Sequence, residues 1–161
     1  MRQASDQFLL AQWRNQSGEE FEGWGLHSEV AAIPGGEFQQ WHVAAAPGHP
    51  FLAHVIQRAL DNIRSYDSDV AGTGHLGVLR TTGPICYTLA IAPHLGEAPR
   101  RIIDTRQIRF EYTIYREATY AHQTMLFKEH DTRLTEPVVR CGNEFKSGEP
   151  GVNPFVDGPR T

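Results

Sequence analysis

The sequence has no long hydrophobic run, little cysteine and no excess of positive charge, and each shortage excludes a class of protein. Its apolar stretches are short and broken by Gly, Pro or His, so none reads as a membrane-spanning helix. The amino-terminal stretch MRQASDQFLLAQWRNQSGEE lacks the apolar core and small-residue cleavage site of a secretory signal. With 15 Lys+Arg against 19 Asp+Glu, the formal net charge is −4. That balance offers no electrostatic footprint for DNA or RNA, so no nucleic-acid partner is expected. The two cysteines, Cys86 and Cys141, make neither a disulfide framework nor a CxxC zinc knuckle. Cys86 stands in an apolar stretch and reads as a small core residue. The nucleophile elbow, the P-loop, the dinucleotide-binding glycine motif and HExxH are all missing.

What is there is 161 residues, 40% hydrophobic, with 3 Trp, 5 Tyr and 8 Phe spread along the chain. That suffices for one globular domain with a sizeable core, or for a piece of a larger one. Phe8–Trp13 reads as a short apolar run of helical character. Glu29–Ile33 reads as a short strand closed by Pro34-Gly35-Gly36, and Glu37–Ala46 as a helix stopped at Pro47-Gly48. The best-defined element follows Pro50, where a missing N–H costs a helix nothing. Phe51, Leu52, Val55, Ile56, Ala59, Leu60 and Ile63 recur at helical spacing, and Gln57, Arg58, Asp61 and Arg64 lie mostly opposite. Asp67–Gly77, with three glycines, reads as a loop. A second helix opens at Thr82-Gly83-Pro84, with Thr82 as cap, and runs to about His94 with Gly96 as its stop. Arg101–Asp104 and Arg109–Tyr115 are β-type runs, and the Gly- and Pro-rich end reads as an irregular tail. Such a mixture implies an α/β or α+β domain.

Candidate chemistry is sparse. Among eight histidines, His49 and His54 are five apart, and His122 and His130 eight apart. Neither spacing is the three or four that aligns two ligands on one helix face. Asp67-Ser68-Asp69 is the single Asp-x-Asp; such a pair holds a divalent cation or simply stands solvated. Gly72-Thr73-Gly74 has the glycine spacing of a nucleotide loop but no strand before it, and reads as a plain loop. Asn15-Gln16-Ser17 matches the glycosylation sequon, a tripeptide common by chance. Trp24 and Trp41 offer ring faces that can stack on sugars, although Trp41, on its expected helix, suits a core. Thr82-Gly83-Pro84 is more telling. A helix that opens there presents unpaired N–H groups able to hold phosphate, pyrophosphate or a hydroxyl-bearing substrate. The same tripeptide also serves as a tight turn with a good cap.

Read together, Gln40-Trp41, AAPGHP at 45–50, the amphipathic helix and Thr82-Gly83-Pro84 form an ordered set. It resembles glycosyltransferase family 32, the group containing initiation-specific alpha-1,6-mannosyltransferases and bacterial capsular or lipopolysaccharide sugar transferases. HQTMLFKEH at 122–130, followed by Pro137-Val138-Val139, resembles the closing part of some members. The resemblance covers about residues 37–140. It implies an α/β, GT-A-like nucleotide-diphospho-sugar transferase fold. It also implies transfer of a hexose such as mannose from a nucleotide-diphosphate sugar to a glycan or lipid-linked acceptor, with Mn²⁺ or Mg²⁺ as cofactor. In the family the cation is held by an Asp-x-Asp ahead of the "gHP" helix. Here none precedes residue 67, and the role does not pass to Asp67 and Asp69, which lie beyond that helix.

The chain is therefore expected to be the C-terminal part of such an enzyme. Residues 1–36 would be a partial N-terminal segment, 37–140 the family-like region and 141–161 a tail. The resemblance gives Thr82, Gly83 and Pro84 to the substrate side of the cleft; His49 either joins them there or, with Pro50, fixes the helix start. It gives His130, and after it His122, to the cation. Catalytic residues are not assigned. The implied partners are a nucleotide-sugar donor, a glycan acceptor, and a complementing N-terminal half or a second copy. The alternative is a non-catalytic remnant that binds a glycan or a protein. The compartment is open: the Golgi lumen for a eukaryotic member, cytoplasmic or membrane-peripheral for a bacterial one.

Overall fold

A proline at a first helical position pre-sets φ, and the apolar spacing behind it fixes which face turns inward. The computed structural model, which describes residues 7–104, accordingly carries its longest helix, α1, over Pro50–Arg64. Phe51 is fully buried, and Leu52 and Val55 pack against the same core. Farther along the helix, Ile56, Leu60 and Ile63 remain substantially exposed.

Among the described residues three strands form one sheet: β1 (Phe8–Ala11), β2 (Ala44–Ala45) and β3 (Arg100–Ile103). β1 is central, antiparallel to β2 and parallel to β3, with Phe8 opposite both Ala45 and Arg100. The helical expectation for Phe8–Trp13 is thus overturned. A central strand covered on both faces is an apolar run without alternation, and so short a run cannot be told from a helical one by periodicity.

The expected helix at Glu37–Ala46 is also absent. Its good helix formers are overridden by backbone partners from elsewhere in the fold. The N–H of Phe38 donates to the Thr88 hydroxyl at 2.7 Å, and that of Gln39 to the Ala11 carbonyl at 2.8 Å. Ala44 and Ala45 then pair with β1. The expected strand at Glu29–Ile33 is instead a single 3-10 turn, Ser28–Val30, which sends Val30 into the core. Glu29 is held there by the Arg80 guanidinium, and its carboxyl sits below the usual range through its own backbone hydrogen bond and that partner.

The expected loop at Asp67–Gly77 contains helix instead. The Asp67 carboxylate accepts from the N–H of Asp69 at 2.8 Å and starts α2 (Ser68–Ala71). Gly72, at φ 85°, ends it. α3 (Gly74–Thr81) begins directly after, so Gly72-Thr73-Gly74 is an inter-helix link. α4 (Pro84–Ile91) is followed by one 3-10 turn, Ala92–His94, where Pro93 cannot continue the helix ladder. The expected strand at Arg101–Asp104 is β3, and Arg109–Tyr115 lies outside the described residues.

α4 is the hub. Ile85, Cys86, Tyr87, Thr88, Ala90 and Ile91 are all buried, so this helix has almost no solvent face. Tyr87 and Ile91 join Phe8, Leu10, Phe38 and Phe51 in one core between sheet and helices. Each such side chain contributes roughly 1.5–3 kcal/mol by burial. Burial also raises the Cys86 thiol above its ordinary value, as fits an inert core cysteine. The class is mixed α/β with a small sheet. Among the described residues no helix is long and apolar enough to cross a membrane.

Candidate functional site

The Thr82-Gly83-Pro84 turn is where three parts of the chain converge. Thr82 closes α3 rather than capping the next helix; the N-cap of α4 is Gly83, with no side-chain cap bond. The expected capping role of Thr82 is therefore replaced, because the turn satisfies its own backbone. The N–H groups of Thr82 and Gly83 both donate to the Val78 carbonyl, at 3.1 and 2.8 Å. The Asn62 amide of α1 donates to the carbonyls of Arg80 and Thr81 at 3.1 and 3.0 Å. The Gln40 amide donates to the Thr82 carbonyl at 3.1 Å. Gly83 is buried and Thr82 exposed, so the rigid turn presents the threonine side chain outward.

Trp41 and His42 follow Gln40 along the chain. The Trp41 indole donates to Gln39 Oε1 at 3.1 Å and meets the His42 ring edge-on at 4.4 Å. Trp41 is half-buried, at a bend in the chain rather than on the expected helix. Burial holds the His42 imidazole below its ordinary value of 6.5. The sign follows: below that value the unfolded chain binds a proton that the folded chain resists, so stability is lost as pH falls toward the lowered folded pKa. Melting temperatures measured between pH 7.5 and about 5 are expected to drop with acid, and less steeply in His42→Gln than in the parent chain.

His49 has a different place. Its Nδ1 accepts from the N–H of Phe51 at 3.3 Å and its Nε2 lies 3.0 Å from the Pro99 carbonyl. Those partners fix the Nε2–H tautomer. The ring is buried against Phe8 and Phe51, at 5.1 and 4.7 Å between centroids. His49 thus caps α1 and ties its start to the approach of β3.

A second polar knot holds the Gly-rich segment before it. Glu37, 5% exposed, accepts from the Trp13 indole at 2.8 Å and lies 3.2 Å from His27 Nε2. Trp13, Phe21 and Trp24 form an aromatic trio with centroids 5.0 to 5.4 Å apart, leaving Trp24 42% exposed. Asn15 is 3% exposed and donates to the carbonyls of Trp24 and Gly35. The sequon at Asn15 is therefore inaccessible in the folded chain.

One further cluster did not stand out in the sequence as a set: His54 is five from His49, and His94 marks a helix end. His54 on α1 stacks on His94 beyond α4, and both face Glu97. His122 and His130, expected at the cation, lie outside the described residues.

Comparison with known proteins gives one partial likeness. A stretch of 61 residues, 37% of this chain, is 38% identical to the initiation-specific alpha-1,6-mannosyltransferase of Schizosaccharomyces pombe. The match spans 15% of that protein's length. No family model matches the chain, and no solved structure matches it. The likeness is to a glycosyltransferase, and its extent is that of a segment.

Proposed function

We propose that the chain forms the acceptor-side part of a family 32-like glycosyltransferase of GT-A type. The reaction is transfer of a hexose, mannose being the first candidate, from a nucleotide-diphosphate sugar to a glycan. The observation that carries this reading is the Gln40–Thr82 hydrogen bond of 3.1 Å. It joins the segment leading into AAPGHP to the Thr-Gly-Pro turn, across a sequence separation of 42 residues. The partial likeness to a mannosyltransferase supports the same reading.

In this reading the exposed Thr82 hydroxyl both donates to and accepts from a sugar hydroxyl. Gly83 and Pro84 present the start of α4, whose positive end favours an electron-rich oxygen. Trp41, next to Gln40 in the chain, would add an aromatic face. His49 acts as a positioning residue, through the start of α1. An Mn²⁺ or Mg²⁺ ion, the cofactor of the family, prefers oxygen ligands. The described residues do not fit it: the Asp67 carboxylate is used in capping α2, and the cluster of His54, His94 and Glu97 is rich in imidazole.

Titrating the chain with manno-oligosaccharides, followed by tryptophan fluorescence, is expected to show saturable binding. Thr82→Ala is expected to weaken it about tenfold, the loss of one sugar hydrogen bond at roughly 1.4 kcal/mol. A complementing N-terminal half supplied in trans should restore transfer to the parent chain and much less to Thr82→Ala. Absence of saturable binding to any hexose oligosaccharide, or equal binding by the variant, would overturn the reading.

A further inference from the structure

The first half of α1 carries a cluster that sugar transfer does not use. His54 and His94 lie face to face, with centroids 3.8 Å apart and ring planes within 3° of parallel. Glu97 spans both: its Oε1 is 2.8 Å from His94 Nδ1, and its Oε2 is 3.8 Å from His54 Nε2. One donor atom from each residue lies within 4.8 Å of the other two. Two of the ligands come from a rigid start. His54 sits in the second turn of α1, and His94 ends the 3-10 turn that follows α4.

We propose that His54, His94 and Glu97 form a binding site for a borderline transition-metal ion of the Zn²⁺ class. The chemistry of the donors selects the metal. Two imidazoles and a carboxylate suit Zn²⁺, Co²⁺ or Ni²⁺ far better than Mg²⁺ or Ca²⁺, which take oxygen ligands. The spacing suits it too. Ligands about 2.0–2.1 Å from a tetrahedral zinc stand roughly 3.3 Å from one another. The two distances to Glu97 bracket that value, so small side-chain movements bring the set to the ion. The parallel rings must splay, because each nitrogen lone pair lies in its ring plane. The hydrogen bond between His94 and Glu97 is exchanged for the metal.

Each histidine side chain is about one-third exposed, at 35% and 32%, and Glu97 is 57% exposed. The fourth position therefore opens to solvent, the pattern of three protein ligands plus water. Bound there, the ion cross-links α1 to the turn that leads into β3. His49 already ties the same two parts together at the opposite end of that helical turn, through Pro99.

The test uses the full, untagged 161-residue chain. Titration with Co²⁺, followed by its visible d–d absorption, is expected to show one equivalent bound with tetrahedral-type intensity. Zn²⁺ should displace it and Mg²⁺ should not. Zn²⁺ should also raise the melting temperature by several degrees, as any ligand bound only by the folded state does. His54→Ala, His94→Ala and Glu97→Gln should each weaken Co²⁺ binding by at least about tenfold. His75→Ala, outside the cluster, should leave it unchanged. Glu97 is exposed, so its variant keeps the fold and answers the question even if a histidine variant does not. No Co²⁺ binding at all, or one equivalent held equally by Glu97→Gln, would overturn the site. Neither result bears on oligosaccharide binding at Thr82, which is read separately.

Discussion

Gly83→Ala is expected to lower stability by about 3 kcal/mol, a fall of roughly 6–12 °C in melting temperature for a chain of this size. The backbone there is ordinary, at φ −84°, so the constraint is space. A Cβ on Gly83 would lie 2.7 Å from Leu79 Cα and 2.8 Å from the Val78 carbonyl oxygen. Both are backbone atoms of α3, and neither can swing aside as a side-chain tip can. Relief requires the two helices to separate. That strains the bonds from Gly83 to Val78 and from Asn62 to Thr81, and with them the placement of Thr82. Calorimetry would check the magnitude. Gly96→Ala is the control, because a Cβ there meets nothing within 4 Å, and its effect should stay within about ±0.5 kcal/mol. Equal melting of the two variants would show that α3 and α4 are not packed as described.

His49→Ala is expected to cost a similar amount, about 3 kcal/mol, from three separable sources. The cap on α1 contributes about 1 kcal/mol. The bond to the Pro99 carbonyl contributes about 1 kcal/mol, since that part-buried acceptor keeps the Phe8 N–H at 3.3 Å. The remainder comes from the void left between Phe8 and Phe51. His49→Asn separates these terms, because asparagine caps a helix but cannot reach Pro99. It should recover about 1 kcal/mol of the loss in chemical denaturation. Full recovery by asparagine would show that the tie to the β3 approach carries no stability.

The parts of this fold that could be read from the sequence are those whose causes are local. α1 was legible because Pro50 and an apolar period of three and four act within a single helix. Its cap at His49 was legible as a helix start for the same reason. The Thr82-Gly83-Pro84 turn was legible as a helix opening, but its cap was misassigned, because Gly83 is required by the closeness of α3, which no local pattern encodes. β1 and the stretch after Glu37 were misread because their partners come from far along the chain. Phe38 answers to Thr88, and Phe8 to Arg100. Glu37 gave no signal, standing in a string of good helix formers. The metal cluster gave half of one. His94 and Glu97 are three apart, a spacing that lets side chains meet across one turn. His54 joins them only because α1 packs on α4.

The sheet order has a consequence for biosynthesis. β1 is complete once residue 11 has been made, yet its parallel partner begins at Arg100. At ribosomal rates of roughly 5–20 residues per second, that partner follows about 5–20 s later. Through that interval, among the described strands, β1 has only the two-residue β2 to pair with, and that too must first be made. Helices form far faster, on the order of a microsecond. α1 and α4 are therefore assembled while Phe8 and Leu10 still await their second edge. A chaperone that recognises short extended apolar segments would find its site here, at the very strand that ends as the centre of the sheet.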